Sequence, residues 1–535
     1  HMYAMLAATA GVTSVSVAGD TVNALPVMVP SSKSVFGEAH YSFTLAPTLG
    51  FDHAEATGAA LPANYELAAW APDALLGPAW PAIYAALGSA IHNDYPVIEG
   101  LLNAVHLDHS ITLEYTPEQM LERGITTIDV TSHVAAVDES SSGRIVTVAL
   151  DLNANGEHVG STQERFAIRG RATGNRAPSE AAPFGGAKVE VVDTPRSVLR
   201  RVSVKAPDDM TPFAIVSGDY NPIHTSYAAA KVAGMDAPLV HGMWLSATAQ
   251  HAAEAVVAGQ GGAQIAGWTY YMYGTVDLND EVEITVERVG RVVGGGLSLE
   301  VTCRINKQVV SRASAYTFAP KVAYVYPGQG IQSAGMGLDE RTKSKAVDEV
   351  WRRADAHTRS AMGFSILAIV RDNPTEIVAR GVTYRHPEGV LNLTQFTQVA
   401  LATLAIGQTA RMREEGVLVP GAAFAGHSLG EYDALAAYAE VFPLEIVLDL
   451  VFQRGSTMHS LVPRDENGRS NYRMGALRPN QFGVDDAHVV EYVESIAQAS
   501  SEFLQIVNFN LAGAQYAVAG TVAGLKALEE DAAKR

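Results

Sequence analysis

Cysteine is nearly missing from this chain: there is one, Cys303, in 535 residues. A single thiol cannot form an internal disulfide, and its strand-like neighbours mark it as a buried structural thiol rather than a nucleophile. The expected setting is therefore reducing and cytoplasmic. Long apolar runs are missing too. Hydrophobic residues make up 47% of the chain, yet no stretch approaches the roughly 18 uninterrupted apolar residues of a membrane-spanning helix, so the chain reads as globular. Positive charge is scarce: 38 Lys and Arg against 57 Asp and Glu leave a net charge of −19 with no basic block. That balance argues against nucleic acid and anionic membrane as partners. His1-Met2 reads as a cloning remnant, and the stretch from Met5 to Val17 lacks the charged start and long apolar core of a signal peptide.

What is present divides by texture into three parts, as the length invites. Residues 125–169 alternate apolar and polar positions through ITTIDVTSHVAAV and RIVTVALDLNANGEHVGSTQERFAI, with an Asn-Gly turn, which predicts an antiparallel meander. Residues 280–318 repeat the scheme, again with an Asn turn before the last strand. A small-residue apolar helix candidate precedes each meander, WPAIYAALGSAI at 80–91 and GMWLSATAQHAAEAVVA at 242–258. Helices apolar on most of their circumference belong in a core. A buried helix wrapped by a curled antiparallel sheet is a hot-dog fold, and the repetition predicts two side by side. Between them RGRATGNRAPSEAAPFGGAKVEVVDTP, 169–195, reads as a linker. After Pro320 short buried strands such as VAYVYP and AAFA alternate with helices, which predicts an α/β domain with a parallel sheet. From about residue 464 a mixed stretch predicts a small inserted α+β subdomain. The expected domains are 1–190, 191–320 and 321–535. The amphipathic run from Leu525 to Arg535 stops without a cap, as though cut inside a helix.

The densest polar cluster before residue 320 is SGDYNPIHTS, Ser217 to Ser226. Asn221-Pro222 forces a turn that can aim Asp219 and His224 into one space. Dehydrating a 3-hydroxyacyl thioester needs a base for the C2 proton, an acid for the leaving hydroxyl and donors for the thioester oxygen. The donors fit VHGMW, 240–244, where Gly242 permits close approach and a helix begins. An isolated Asp-x4-His is more often a helix cap and a satisfied core histidine. The full string G-D-x-N-P-I-H, followed 17 residues after the histidine by H-G-M, resembles the MaoC-like, (R)-specific hydratase/dehydratase family over about 200–318. The resemblance implies that Asp219 and His224 are catalytic and leaves open which abstracts and which protonates. The first unit lacks this motif and is expected to be a noncatalytic hot dog that shapes the acyl tunnel. Its HLDH, His106 to His109, is not read as a metal site, because no third ligand has suitable spacing.

GHSLGEY, Gly426 to Tyr432, is a nucleophile elbow, in which glycines flank Ser428 on a tight strand-to-helix turn. Alone it would fit a hydrolase, a thioesterase or chance. PGQG at 327–330, Gln395 in LTQFTQVAL and Arg454 in VFQRGSTM, 26 residues past the serine, make the chain from about Val322 to Gly520 resemble the malonyl/acyl transferases of fatty acid synthases. By that resemblance Ser428 carries the acyl ester, the amides of Gln329 and Leu429 form the oxyanion hole, Gln395 contributes to substrate binding, and Arg454 grips the malonyl carboxylate. His427 is expected to point away from the serine. VNFNLAGAQYAVAG, 507–520, resembles the segment that precedes the family's catalytic histidine, so the general base is expected outside this chain.

Dehydratase followed by transferase resembles a bacterial or fungal type I fatty acid synthase, with an enoyl reductase before residue 1. Its implied fold is a double hot dog followed by an α/β acyltransferase with a ferredoxin-like insert. The resemblance implies acyl groups carried on phosphopantetheine and CoA, no flavin, nicotinamide or metal bound by this stretch, an acyl carrier domain as partner, and a hexameric assembly. Two other readings carry different expectations. A double-hot-dog (R)-specific enoyl-CoA hydratase has no use for GHSLGEY or PGQG, and a noncatalytic scaffold has none for Asp219, His224 and Ser428.

Overall fold

The computed structural model of the protein describes residues 2–11, 25–58, 70–92, 94–97, 104–140, 143–169, 184–258 and 264–535. The chain divides into two compact units, 1–322 with 416–421, and 323–415 with 422–535.

In the first unit the alternation of the two meanders becomes strands Thr127–Ser140, Gly143–Ala154 and Glu157–Arg169, then Glu281–Val292, Leu297–Ile305 and Gln308–Thr317. Asn155 and Gly156 both adopt positive φ at the first sharp turn, and Asn306 and Lys307 do so at the second, the conformation that a two-residue hairpin of the right twist needs. The meanders join in one eleven-stranded sheet. Strand Ala104–Leu113 lies beside the first meander and pairs antiparallel with Ile265–Met272 of the second, Gly267 opposite Thr112 and Tyr271 opposite Asp108. Each half wraps a helix. Trp80–Ser89 is buried from Trp80 through Gly88, as a helix apolar on every side must be. Gly242–Ala258 fills the second half, where Trp268 donates its indole N–H to Ser246 Oγ at 3.0 Å.

The sequence reading of 169–195 as linker is corrected at its end. Residues 170–183 lie outside the described residues, but Val191–Lys205 is an edge strand paired with Glu281–Val292. Its pairing slips between Arg288 and Gly290, opposite Ser197 and Asp193, so Pro195 sits where the ladder is interrupted. An edge bulge asks no N–H of a proline.

In the second unit Ala323–Tyr326 pairs in parallel with Ala423–Gly426. Helix Thr394–Glu414 packs between Lys345–His357, Leu429–Ala437 and Leu444–Ser460. Beyond them strands Tyr472–Leu477, Leu504–Leu511 and Gln515–Thr521 form a three-stranded antiparallel sheet with the last strand in the middle, covered by helices Val489–Ser500 and Val522–Lys534. This β-α-β-β-α order is that of a ferredoxin-like fold.

Candidate active sites

Helix Thr211–Ser217 is closed by Gly218 at φ +70, the left-handed cap that glycine adopts without strain. The chain then turns sharply. Asp219 Oδ1 accepts from the Asn221 N–H at 3.1 Å, and Asn221 Oδ1 accepts from the Ile223 N–H at 3.3 Å, opening the short helical turn Pro222–His224. These bonds, fixed by the Asn-Pro step, place Asp219 and His224 on the wall of one cavity of about 860 Å³. Trp80, Tyr84 and Phe166 of the first half close it from the other side, and Gly242 lines it at the start of the second buried helix. The volume suits an extended acyl chain. A Cβ on Gly242 would meet Met272 Sδ, so a side chain there would have to displace the end of that methionine.

His224 Nδ1 lies 2.8 Å from the Leu239 carbonyl and so donates to it, which leaves Nε2 as the unprotonated nitrogen of a neutral ring. Burial lowers the His224 pKa below the ordinary histidine value; Asp219 and the Leu239 carbonyl oppose it without prevailing. The ring stacks on His241, with centroids 3.8 Å apart. His241 donates from Nε2 to the Asp219 carbonyl at 3.1 Å, and its Nδ1 is buried without a partner. Burial, then His224, hold His241 well below its ordinary value. Asp219, His224 and His241 offer ligand atoms within 4.8 Å of one another, but the proton that His241 Nε2 donates removes that nitrogen from coordination. The arrangement suits proton transfer better than a metal.

Two groups at this cavity escaped the sequence reading. His241 sits inside the H-G-M string, where attention went to the glycine. Tyr84 comes from the half expected to be noncatalytic, and burial, then Asp219, keep its phenol protonated well above the ordinary range. The HLDH histidines have carboxylate partners: His106 Nε2 and His109 Nδ1 each lie 2.8 Å from Glu164, and His109 Nε2 lies 2.8 Å from Asp73. Cys303 is 1% exposed, and burial raises its thiol pKa to about 12, as an inert core thiol requires.

In the second unit Ser428 has φ 56 and ψ −108, a strained backbone at a strand-to-helix turn. The glycines make the turn possible: a Cβ on Gly426 would collide with the Gly430 backbone, and one on Gly430 with the Tyr326 carbonyl. Gly328 brings PGQG against the turn, its Cβ direction 3.7 Å from Ser428 Cβ. Leu429 opens helix Leu429–Ala437, so its N–H is among those a helix leaves without an internal acceptor. Arg454 donates from Nη2 to Ser428 Oγ and from Nη1 to Gln398 Oε1, both at 2.9 Å. Gln398 in turn donates to the Gln329 side chain at 3.2 Å.

Gln395, the glutamine singled out from sequence, does not join this chain of contacts. It is 1% exposed, its Oε1 has no partner and its backbone abuts Gly455. The second glutamine of LTQFTQVAL, one helical turn on, takes the place expected of the first. Among the described residues no hydrogen bond joins His427, His459 or His488 to Ser428.

A hot-dog pair with an Asp–His cavity, followed along the chain by an α/β unit with a serine elbow, is the architecture of two domain families. Residues 187–308 match the MaoC like domain family and residues 323–522 the acyl transferase domain family. Over these domains the chain is a homologue of fungal-type fatty acid synthase beta subunits. It is 33% identical over 362 residues to fatty acid synthase beta subunit stcK of Emericella nidulans, an alignment covering 61% of this chain and 19% of that protein. It is 33% identical over 361 residues to the fatty acid synthase subunit beta of Saccharomyces cerevisiae, covering 60% and 18%. The chain thus spans about a fifth of the length of these relatives. Among solved structures FabD from Acinetobacter baumannii is 28% identical, with 40% of this chain and 58% of that one covered and a TM-score of 0.32.

Proposed function

We propose that the first unit dehydrates (3R)-hydroxyacyl groups on an acyl carrier to trans-2-enoyl thioesters, and that the second transfers malonyl or palmitoyl groups between CoA and the carrier through Ser428. The observation that carries the first assignment is the neutral His224, whose free Nε2 shares one cavity with Asp219. Nε2 takes the C2 proton, the C2–H electrons form the double bond and the C3–O bond breaks. The hydroxyl leaves as water with the proton that His224 took from C2, while the Asp219 carboxylate accepts a hydrogen bond from it. The free N–H groups at the start of helix Gly242–Ala258 face the enolate oxygen. In the transferase Ser428 attacks the thioester, the Gln329 and Leu429 amides take the oxyanion, and Arg454 holds the malonyl carboxylate. An acyl carrier domain, phosphopantetheine and CoA thioesters as substrates, a hexameric synthase and a cytoplasmic setting belong to this reading. No helix among the described residues is long and apolar enough to cross a membrane.

The test is hydration of a crotonyl thioester, the reverse reaction. His224→Ala and Asp219→Asn should each lower kcat/KM by about a hundredfold or more, as loss of an acid or base does. Turnover near that of the unsubstituted protein in both variants would sink the assignment. Intact-mass measurement after malonyl-CoA addition tests Ser428. With Arg454, a donor, the one hydrogen-bond partner of its hydroxyl among the described residues, loading should take far longer than seconds; rapid stoichiometric loading would bring His427 and His459 back as bases.

A further inference from the structure

Past Arg454, beginning at the end of the same helix, the second unit gathers four basic side chains around one loop. His459 lies in the last turn of helix Leu444–Ser460, Arg464 and Arg473 flank residues 465–472, and His386 directly follows strand Val382–Arg385. The loop is built tightly. Asp465 Oδ1 accepts from the N–H groups of Asn467 and Arg469 at 2.9 and 2.8 Å, and the Gly468 N–H donates to the Asp465 carbonyl at 2.9 Å. Gly468, at φ +78, passes so close to the Arg385 carbonyl that a side chain would collide with it, which seats the loop beside His386.

Charge is what this packing leaves unbalanced. Asp465 is spent on loop amides, and among the described residues none of the four basic groups forms an ion pair, although ion pairs abound elsewhere in the unit. Arg464 and Arg473 donate only to backbone carbonyls, Arg464 Nη1 to Gly468 at 3.0 Å and Arg473 Nη1 to Ser470 at 2.8 Å. Arg464 Nε and His459 Nδ1 are buried with no partner at all. The groups feel one another. Beyond burial, Arg473 lowers Arg464, Arg464 and His386 lower His459, and Arg464 and Arg473 lower His386, where Glu388 alone pulls the other way. Holding two guanidinium charges close together, with Arg464 Nε unsatisfied, costs free energy that a multivalent anion would return through charge-assisted hydrogen bonds, the neutral histidines adding ring N–H donors.

We propose that His386, His459, Arg464 and Arg473 form a phosphate-binding subsite, separate from the carboxylate grip of Arg454, which takes the diphosphate of CoA or the phosphate of carrier-bound phosphopantetheine. The anion chemistry stands on the cluster; its two sources rest on the transferase reading of the same unit. Arginine forks suit phosphate oxygens, and Arg473 is exposed and able to swing onto a ligand.

Calorimetric titration of the full chain with pyrophosphate, CoA, 4′-phosphopantetheine and pantetheine tests it. Pyrophosphate and CoA should bind, and Arg473→Gln and Arg464→Gln should each weaken both by about tenfold or more. Pantetheine binding should be unchanged, and Arg473→Lys should recover most of the loss, which a folding defect would not allow. Weakened binding of 4′-phosphopantetheine in the same variants identifies the carrier arm as a source; a loss confined to CoA and pyrophosphate identifies the diphosphate. No pyrophosphate binding, or equal affinity in both glutamine variants, overturns the subsite. Pyrophosphate binding that the variants lose, in a chain that ignores CoA, keeps the subsite and removes the transferase reading instead.

Discussion

His224 carries two opposing influences, burial that disfavours its charge and an Asp219 carboxylate that favours it, and burial wins. The consequence is a pH profile. A base must be unprotonated, so hydration should hold steady at neutral pH and fall as pH drops through a value below the ordinary histidine pKa of about 6.5. A kcat/KM profile whose acid limb lies above 7 would mean that His224 does not set it. At the second site Arg454 donates to Ser428 and Gln398, and in the proposed reaction its guanidinium pairs with the free carboxylate of a dicarboxylic acyl group. Arg454→Ala should weaken malonyl-CoA binding by roughly tenfold to a hundredfold, the worth of about 1.5–3 kcal/mol for a hydrogen bond to a charged group, and leave acetyl-CoA unaffected. Equal losses for both ligands would make Arg454 structural. At this scale the sequence was legible where residue types are rare in combination, as in G-D-x-N-P-I-H. It misled where two like residues lie a turn apart: nothing local distinguishes Gln395 from Gln398. Only the direction of helix Thr394–Glu414 against Arg454 decides between them.

Elements were legible in proportion to the regularity of their pattern. The meanders and both buried helices follow from periodicity alone, because a strand with one buried face alternates and a helix buried on all sides does not. Strand Val191–Lys205 was harder to read. It lies at the sheet's edge, its first residues are mostly exposed and a proline interrupts it, so Gly-Pro-rich composition outweighed the β-branched VEVV. The serine elbow shows the opposite case, where spacing encodes a steric demand. Gly430→Ala would drive a methyl group into the Tyr326 carbonyl on the neighbouring parallel strand. That variant should lose all Ser428 acylation and show a lowered unfolding transition, while hydration of crotonyl thioester by the first unit remains within about twofold, as expected of independent sites in separate compact units. Unchanged Ser428 labelling by a fluorophosphonate in Gly430→Ala would show that the elbow tolerates a side chain.

For the first unit as a whole the question is what locks two hot dogs into one sheet so that a cavity can be shared between them. Sheet pairing between Ala104–Leu113 and Ile265–Met272 supplies one link. The buried charges supply another. His109 on that strand contacts Glu164 of the next strand and Asp73 of the first half's helical turn, and Asp73 accepts from Gln250 of the second half's central helix at 2.6 Å. Burial opposes charge on His109, but Glu164 and Asp73 outweigh it and raise its pKa to about 10; both carboxylates are lowered despite burial, by His109 first. A histidine raised in the folded state contributes stability that is fully present below its unfolded value and is lost as pH rises through about 10. The lowered carboxylates contribute stability present above their ordinary values and lost as pH falls below them. The network should therefore hold across the neutral range and weaken at both ends. Because it is sealed from water, removing one partner should cost more than removing several. His109→Leu alone leaves the buried Asp73 carboxylate without a cationic partner and Glu164 with His106 alone, and should lower stability by about 3–5 kcal/mol, whereas His109→Leu combined with Glu164→Leu and Asp73→Asn should recover part of that loss. Both are read as the thermal midpoint of the first unit at neutral pH. A midpoint in His109→Leu within a degree of the unsubstituted protein would show that the two halves are held by strand pairing alone.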